Sequence, residues 1–163
     1  MLLNIITEPN PILHKKTAAV RPADIGDKKN KKFIKDLIET LYIKDGAGIA
    51  APQVGESIQI CIIAKNFNEF NNKEKDLILI NPVWEKKSLL KAADEEGCLS
   101  VPNIYGKVKR YKKIRVKALN EKGEPIDFIA QDFFARVIQH EIDHLNGILF
   151  IEKAKDLQEI TRE

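Results

Sequence analysis

Apolar residues recur at helical spacing in two stretches of this chain. Between residues 30 and 44, Phe33, Leu37, Ile38 and Leu41 share one face, and Gly46 lies just past the end, where a left-handed cap is favoured. The pattern predicts an amphipathic helix that runs straight into a glycine-containing loop. A second helix is expected from Asp132, a suitable N-cap, to Asn146 before Gly147. Its apolar surface, Phe134, Val137, Ile138, Ile142 and Leu145, is wide, and the polar one, Arg136, Gln139, Asp143 and Asn146, is narrow, so this helix should be largely buried. Strand-type runs occupy 58–64, 77–80, 83–93, 113–119 and 125–130. In the fourth, Ile114, Val116 and Ala118 alternate with Arg115 and Lys117, and Asn120-Glu121-Lys122-Gly123 after it reads as a hairpin turn. Residues 7–13 form a proline-punctuated loop, and 66–73 a polar surface loop despite Phe67 and Phe70. Residues 152–163 read as a short polar helix.

Composition changes this picture little. The chain has 163 residues, 44% hydrophobic and 31% charged, which suits one soluble domain spanning 1–163. There is no apolar run of membrane-span length and no signal-peptide pattern, so a cytoplasmic protein without a membrane partner is expected. The net charge of +3 is mild, and the basic run Lys28-Lys29-Asn30-Lys31-Lys32 reads as a solvated helix face rather than as an RNA-contacting patch. Cys61, within Ile58-Gln59-Ile60-Cys61-Ile62-Ile63, reads as a buried strand residue; with Cys98 far away, no disulfide framework is implied. His14 has no partner in a ligand spacing and reads as a surface residue.

The second helix carries the chemistry. His140-Glu141-Ile142-Asp143-His144 is H-E-x-x-H, and residues four apart on a helix lie on one face. His140 and His144 can therefore offer nitrogens to one metal ion, with Glu141 beside it as an acid/base group. A third ligand is needed. The metzincin pattern requires a histidine at position 150, where Phe150 stands, and a thermolysin-like site would need Glu152, Glu159 or Glu163 on a further packed helix. Cys98 answers better, because a thiolate and two imidazoles leave a coordination position open for water.

The segment Gly46-Ala47-Gly48-Ile49-Ala50-Ala51-Pro52-Gln53 packs closely against a neighbour in its simplest reading. It lacks the ending of a phosphate loop. Gln53 is its one side chain able to donate a hydrogen bond to an oxyanion.

Three segments in order, Gly46 to Gln53, Glu96-Gly97-Cys98-Leu99-Ser100 and His140 to His144, resemble the signature motifs of the peptide deformylases. The resemblance extends through Pro9-Asn10-Pro11-Ile12-Leu13, Ser100-Val101-Pro102, Arg110 and Gly147-Ile148-Leu149-Phe150, nearly the whole chain. It implies an α+β fold, small antiparallel or mixed sheets around a central metal-binding H-E-x-x-H helix. It implies removal of the formyl group from the N-terminal formyl-methionine of new polypeptides, releasing formate. Cys98, His140 and His144 would bind ferrous iron, although thiolate and imidazole suit zinc, nickel or cobalt equally. Glu141 would carry the proton, and Gln53 with the Leu99 N–H would hold the oxyanion. Gly46, Ala47, Gly48, Ile49, Glu96, Gly97, Phe133 and Val137 would contact the substrate, which lies extended near 46–49 and 96–100 and is bound mainly through its backbone. Glu96 reads either as a group orienting the ligand loop through Arg110 or as a plain surface ion pair.

Ala47 and Ile49 depart from the family's usual larger aliphatic and leucine. The C-terminal tail, with Lys153, Lys155 and Arg162, is shorter than the basic helix with which bacterial members contact the ribosome, so any such contact would be transient. No specific nucleic acid is implied. The rival readings are a metallopeptidase with another third ligand and a relative that binds N-terminal peptides without cleaving them.

Overall fold

The computed structural model describes residues 1–160. Two helices, α1 (Lys28–Ile43) and α2 (Asp132–Leu145), combine with eight strands in two antiparallel sheets. Strands β1 (Gly48–Ala50), β2 (Ile60–Ile63), β3 (Leu77–Lys86), β6 (Lys113–Leu119) and β7 (Pro125–Gln131) form one sheet in the order β1-β2-β3-β6-β7. The other is β4 (Lys91–Cys98), β5 (Val101–Tyr111) and β8 (Lys155–Glu159), with β5 central. Helix α2 packs against strands of both sheets.

The unbroken apolar run of β2 has a simple cause. Cys61 and Ile63 join the core under α2, whereas Ile60 and Ile62 pack with Leu37, Leu41 and Ile49 in a second core under α1. A strand covered on both faces has no polar side to show. A third cluster, Leu13, Val101, Val108, Leu149 and Phe150, fills the space beneath the three-stranded sheet.

Both expected helices form, α1 starting two residues earlier, with Asp27 accepting the Asn30 N–H as its cap. Lys28, Lys29, Lys31 and Lys32 are exposed along it. Asp132 begins α2 at a φ of 52° but does not cap it. The far end is tied down: the Thr17 N–H and hydroxyl both donate to the Leu145 carbonyl, at 2.9 and 2.8 Å. Strands β6 and β7 and their turn follow the expected pattern.

Elsewhere the outcome differs. The run at 77–80 continues through a bulge at Asn81 into β3, because the Asn81 side chain bonds the Val20 N–H and carbonyl at 2.9 Å each. The run expected at 83–93 breaks in a turn before β4. Strand β5, the longest, was not expected. Its inward positions include Gly106 and Arg110 beside Val108, so the apolar alternation is too sparse to read. The expected C-terminal helix is instead a 3-10 turn at Phe150–Glu152 followed by β8; residues 161–163 lie outside the described ones. The proline loop contains a 3-10 turn at Pro11–His14, and the 66–73 loop buries Asn68 fully, with its amide donating to the Lys75 carbonyl at 2.9 Å. No helix among the described residues is long and apolar enough to cross a membrane.

Candidate active site

A cavity of about 520 Å³ opens between β1, the β4–β5 hairpin and α2, lined by Gly46, Ala47, Gly48, Gln53, Glu96 to Leu99, Phe133, Val137, His140 and Glu141 among others. Cys98 comes from the end of β4, and His140 and His144 lie one turn apart on α2. One ligand atom from each falls within 4.8 Å of the others, and Cys98 Sγ is 3.3 Å from His144 Nε2. His140 Nδ1 bonds Glu96 Oε1 at 2.8 Å, which leaves Nε2 for a metal.

Electrostatics favour a cation among these donors. Burial alone would lower His140, but its hydrogen bonds to Cys98 and Glu96 raise it to about 10. His144, by contrast, is held well below the usual range by burial and by the neighbouring His140 charge. Two imidazoles and a thiol whose ligand atoms meet within 4.8 Å are donors that suit a divalent ion, and its binding would displace their protons. The donor set fits a metal.

Glu141 is 3% exposed, and its Oε2 has no hydrogen-bond partner among the described residues. Burial raises its pKa to about 7. A carboxyl with that affinity and a free oxygen suits reversible proton transfer near neutral pH. Opposite it, Gln53 is fixed by the Ala50 N–H donating to its Oε1 at 2.9 Å, and its Nε2 lies 3.5 Å from Cys98 Sγ and 3.3 Å from Ser100 Oγ. The direction of its amide N–H groups is therefore set by the 3-10 turn at Ala51–Val54.

Two of the glycines lining the cavity leave less than 3 Å for a Cβ. A Cβ on Gly48 would stand 2.8 Å from both Cγ and Oε1 of Glu141, and one on Gly97 would stand 2.6 Å from the Tyr105 ring. The loop identified from its small residues thus lets β1 pass against the carboxyl. Gly48→Ala is expected to push Glu141 aside and lower kcat about 10-fold or more, while metal content stays unchanged. Steady-state kinetics with metal analysis on one sample checks this.

Two expected substrate contacts need correction. Ile49 is 0% exposed, packs in the core under α1 and does not line the cavity, because alternate residues of β1 face opposite ways. Glu96 borders the cavity, but both its carboxylate oxygens are taken by Arg110, Arg136 and His140. It is 7% exposed, which excludes the plain surface ion pair. Burial would raise it, yet the hydrogen bonds from Arg110 and His140 hold it well below the usual carboxylate range. Ile104 and Tyr105, which also line the cavity, were missed with the strand that carries them. Phe133 is 49% exposed at the cavity and rests tilted against Phe67, with 5.4 Å between ring centroids and 59° between the ring planes.

An α+β domain with an H-E-x-x-H helix, a converging cysteine and a buried carboxyl defines a class, the metal-dependent amide hydrolases. Comparison with known proteins narrows it. A family model for polypeptide deformylase matches residues 2–159. The peptide deformylase of Desulfotalea psychrophila is 42% identical over 158 residues, 96% of this chain and 90% of that protein; peptide deformylase 1 of Clostridium acetobutylicum is 46% identical over 142 residues, 87% of each. Among solved structures, the Thermotoga maritima peptide deformylase superposes with a TM-score of 0.86 at 35% identity, covering 95% of this chain and 99% of that one. A class I type b peptide deformylase from Acinetobacter baumannii, bound to Met-Ala-Ser, gives 0.86 at 34% identity, over 94% and 98%. The chain belongs to the polypeptide deformylase family.

Proposed function

We propose that Cys98, His140 and His144 hold one ferrous ion, that Glu141 moves the proton, and that Gln53 and the Leu99 N–H bind the oxyanion, within a single catalytic domain. The enzyme is a hydrolase that removes the N-formyl group from newly made polypeptides. The observation carrying the assignment of roles is the convergence of three soft donors beside a buried, unpartnered carboxylate oxygen.

When bound, the ion acidifies a water and polarises the formyl carbonyl. Glu141 accepts the proton of the attacking water, then returns it to the departing α-amine, so the formyl C–N bond breaks and formate and a free N-terminus leave. Gln53 Nε2 and the Leu99 N–H donate to the oxygen on which negative charge builds. Val137 and Phe133 line the end of the cavity that would take the methionine side chain, and Gly46, Ala47, Gly48 and Gly97 leave room for an extended peptide backbone. Backbone recognition suits an enzyme whose substrates share only their first residue.

Iron rather than zinc, nickel or cobalt follows from the family and not from the donors. Nascent chains as substrates imply a cytoplasmic enzyme with at most transient ribosome contact. Protein purified without oxygen and loaded with iron is expected to release formate from formyl-Met-Ala-Ser, with iron found by metal analysis of the same sample. Iron-loaded protein that released none would refute the assignment.

A further inference from the structure

Arg136 enters the polar face of α2 in the sequence without a role, yet it is 6% exposed and makes three hydrogen bonds across the molecule. Its Nη1 donates to Glu96 Oε2 at 2.6 Å and to the Val108 carbonyl at 2.8 Å, and its Nη2 donates to the Ala92 carbonyl at 2.8 Å. One side chain on α2 thus grips β4, β5 and the carboxylate that orients His140.

Arg110 alone does not do this. Its Nε and Nη2 form a fork onto Glu96 at 2.9 Å each, but Arg110 and Glu96 sit on adjacent strands of one sheet, so that pair fixes the carboxylate within the sheet only. Side chains tie helix α2 to the sheet at four positions: Asp143 Oδ2 accepts from Arg110 Nη1 at 2.6 Å, His140 Nδ1 meets Glu96 at 2.8 Å, Gln139 accepts the Tyr111 N–H at 3.1 Å and donates to the Tyr111 carbonyl at 2.8 Å, and Arg136 makes the last. Seven residues separate Arg136 from Asp143, about 10 Å along the helix, with His140 between them. Arg136 is the most N-terminal of these side-chain ties, so it registers the turn of the helix that precedes His140 against the hairpin. Each buried carboxylate has a guanidinium partner: Glu96 meets Arg110 and Arg136, and Asp143 meets Arg110, with the more exposed Lys153 at 3.0 Å from Asp143.

We infer that Arg136 is a positioning residue for the metal site, locking α2 to the β4–β5 hairpin so that Glu96 holds the His140 ring in ligand orientation. The inference rests on the assignment of Cys98, His140 and His144 as metal ligands. Removing the guanidinium takes from the buried Glu96 carboxylate one of its two arginine partners, takes from the Val108 and Ala92 carbonyls a donor, and loosens the register between Glu96 and the helix that carries His140. Loss of a ligand's own hydrogen-bond partner typically costs about 10- to 100-fold in metal affinity, and Arg136 holds that partner, Glu96.

The test uses cobalt(II)-loaded full-length protein, its visible absorption reporting ligand geometry, and measures metal release to an excess of chelator. In R136M, release is expected to be about 10- to 100-fold faster with shifted absorption bands. R136K keeps the charge but not the three-way fork, and it should fall between R136M and the unsubstituted protein. Release rates and spectra matching the unsubstituted protein overturn the inference, even where the melting temperature drops, since a merely structural arginine would give that result. Where R136M does not fold, R136K alone decides by the same criterion. C98A is the control for the parent assignment: if it retains cobalt with an unchanged spectrum, the ligand set itself is wrong, and that failure is distinguishable from a silent Arg136.

Discussion

Replacing Cys98 with alanine is expected to strip the metal from the protein and abolish formate release. In the proposed site the Cys98 thiolate is the one anionic ligand of three. Binding free energies of such Cys/His sites are about 10–16 kcal/mol, so losing one ligand of three forfeits roughly 3–5 kcal/mol, a factor of about 10² to 10⁴ in affinity. The fold should survive, because Cys98 sits at the end of β4, only half-buried, and packs at the margin of the cluster beneath the three-stranded sheet rather than within it. Gln53 loses its sulfur neighbour but keeps Ser100 Oγ at 3.3 Å. Dialysis followed by metal analysis and circular dichroism would check both halves. A C98A protein that kept its metal and its activity would point to another third ligand and return the metallopeptidase reading to consideration.

Glu141→Gln should do the opposite to the metal and nearly the same to the rate. The amide preserves shape but not proton affinity, so kcat is expected to fall about 10²- to 10⁴-fold, the usual contribution of a general base, with metal content and KM close to unchanged. Stability should change little. The substitution removes the cost of a buried charge, while the new amide N–H finds no protein partner at the position of Oε2, and these two effects oppose each other at about 1–3 kcal/mol each. The same residue sets a pH dependence. Burial raises Glu141 to about 7, and as a base it works only when ionised, so kcat/KM rises with pH through the titration and falls on the acid side. A bound ion's positive charge favours the carboxylate, which places the acid limb at or below about pH 7. E141Q should lose that limb. Retention of the limb in E141Q would assign the titration to another group.

How much of this was legible in advance depended on the range of the interactions. The two helices, the β6–β7 hairpin and the H-E-x-x-H pair follow from neighbours three or four residues apart or from strict alternation, and those rules act within one segment. Ile49 shows the limit. Its motif position suggested a substrate contact, but the strand direction of β1 turns its side chain into the core under α1, and only the pairing with β2 fixes that direction. Strand β5 was invisible for a related reason: Arg110 occupies an inward position that looks wrong for a strand until Glu96 and Asp143 are seen facing it. Asp132 resembled a cap and is not one, because β7 leads directly into the helix.

Sequence by itself determined the chemistry of this enzyme. The residue types, the spacing of His140 and His144 on one helix face and the three motifs in order are all readable along the chain, and they single out Cys98, His140, His144, Glu141 and Gln53 as the candidate chemistry. Tertiary structure alone decided how that chemistry is held: the burial that raises Glu141, the Gly48 backbone pressed against it, and the buried Glu96–Arg110–Arg136–Asp143 cluster fixing His140. Those depend on contacts between residues 14 to 93 positions apart, and no periodicity within a segment encodes them.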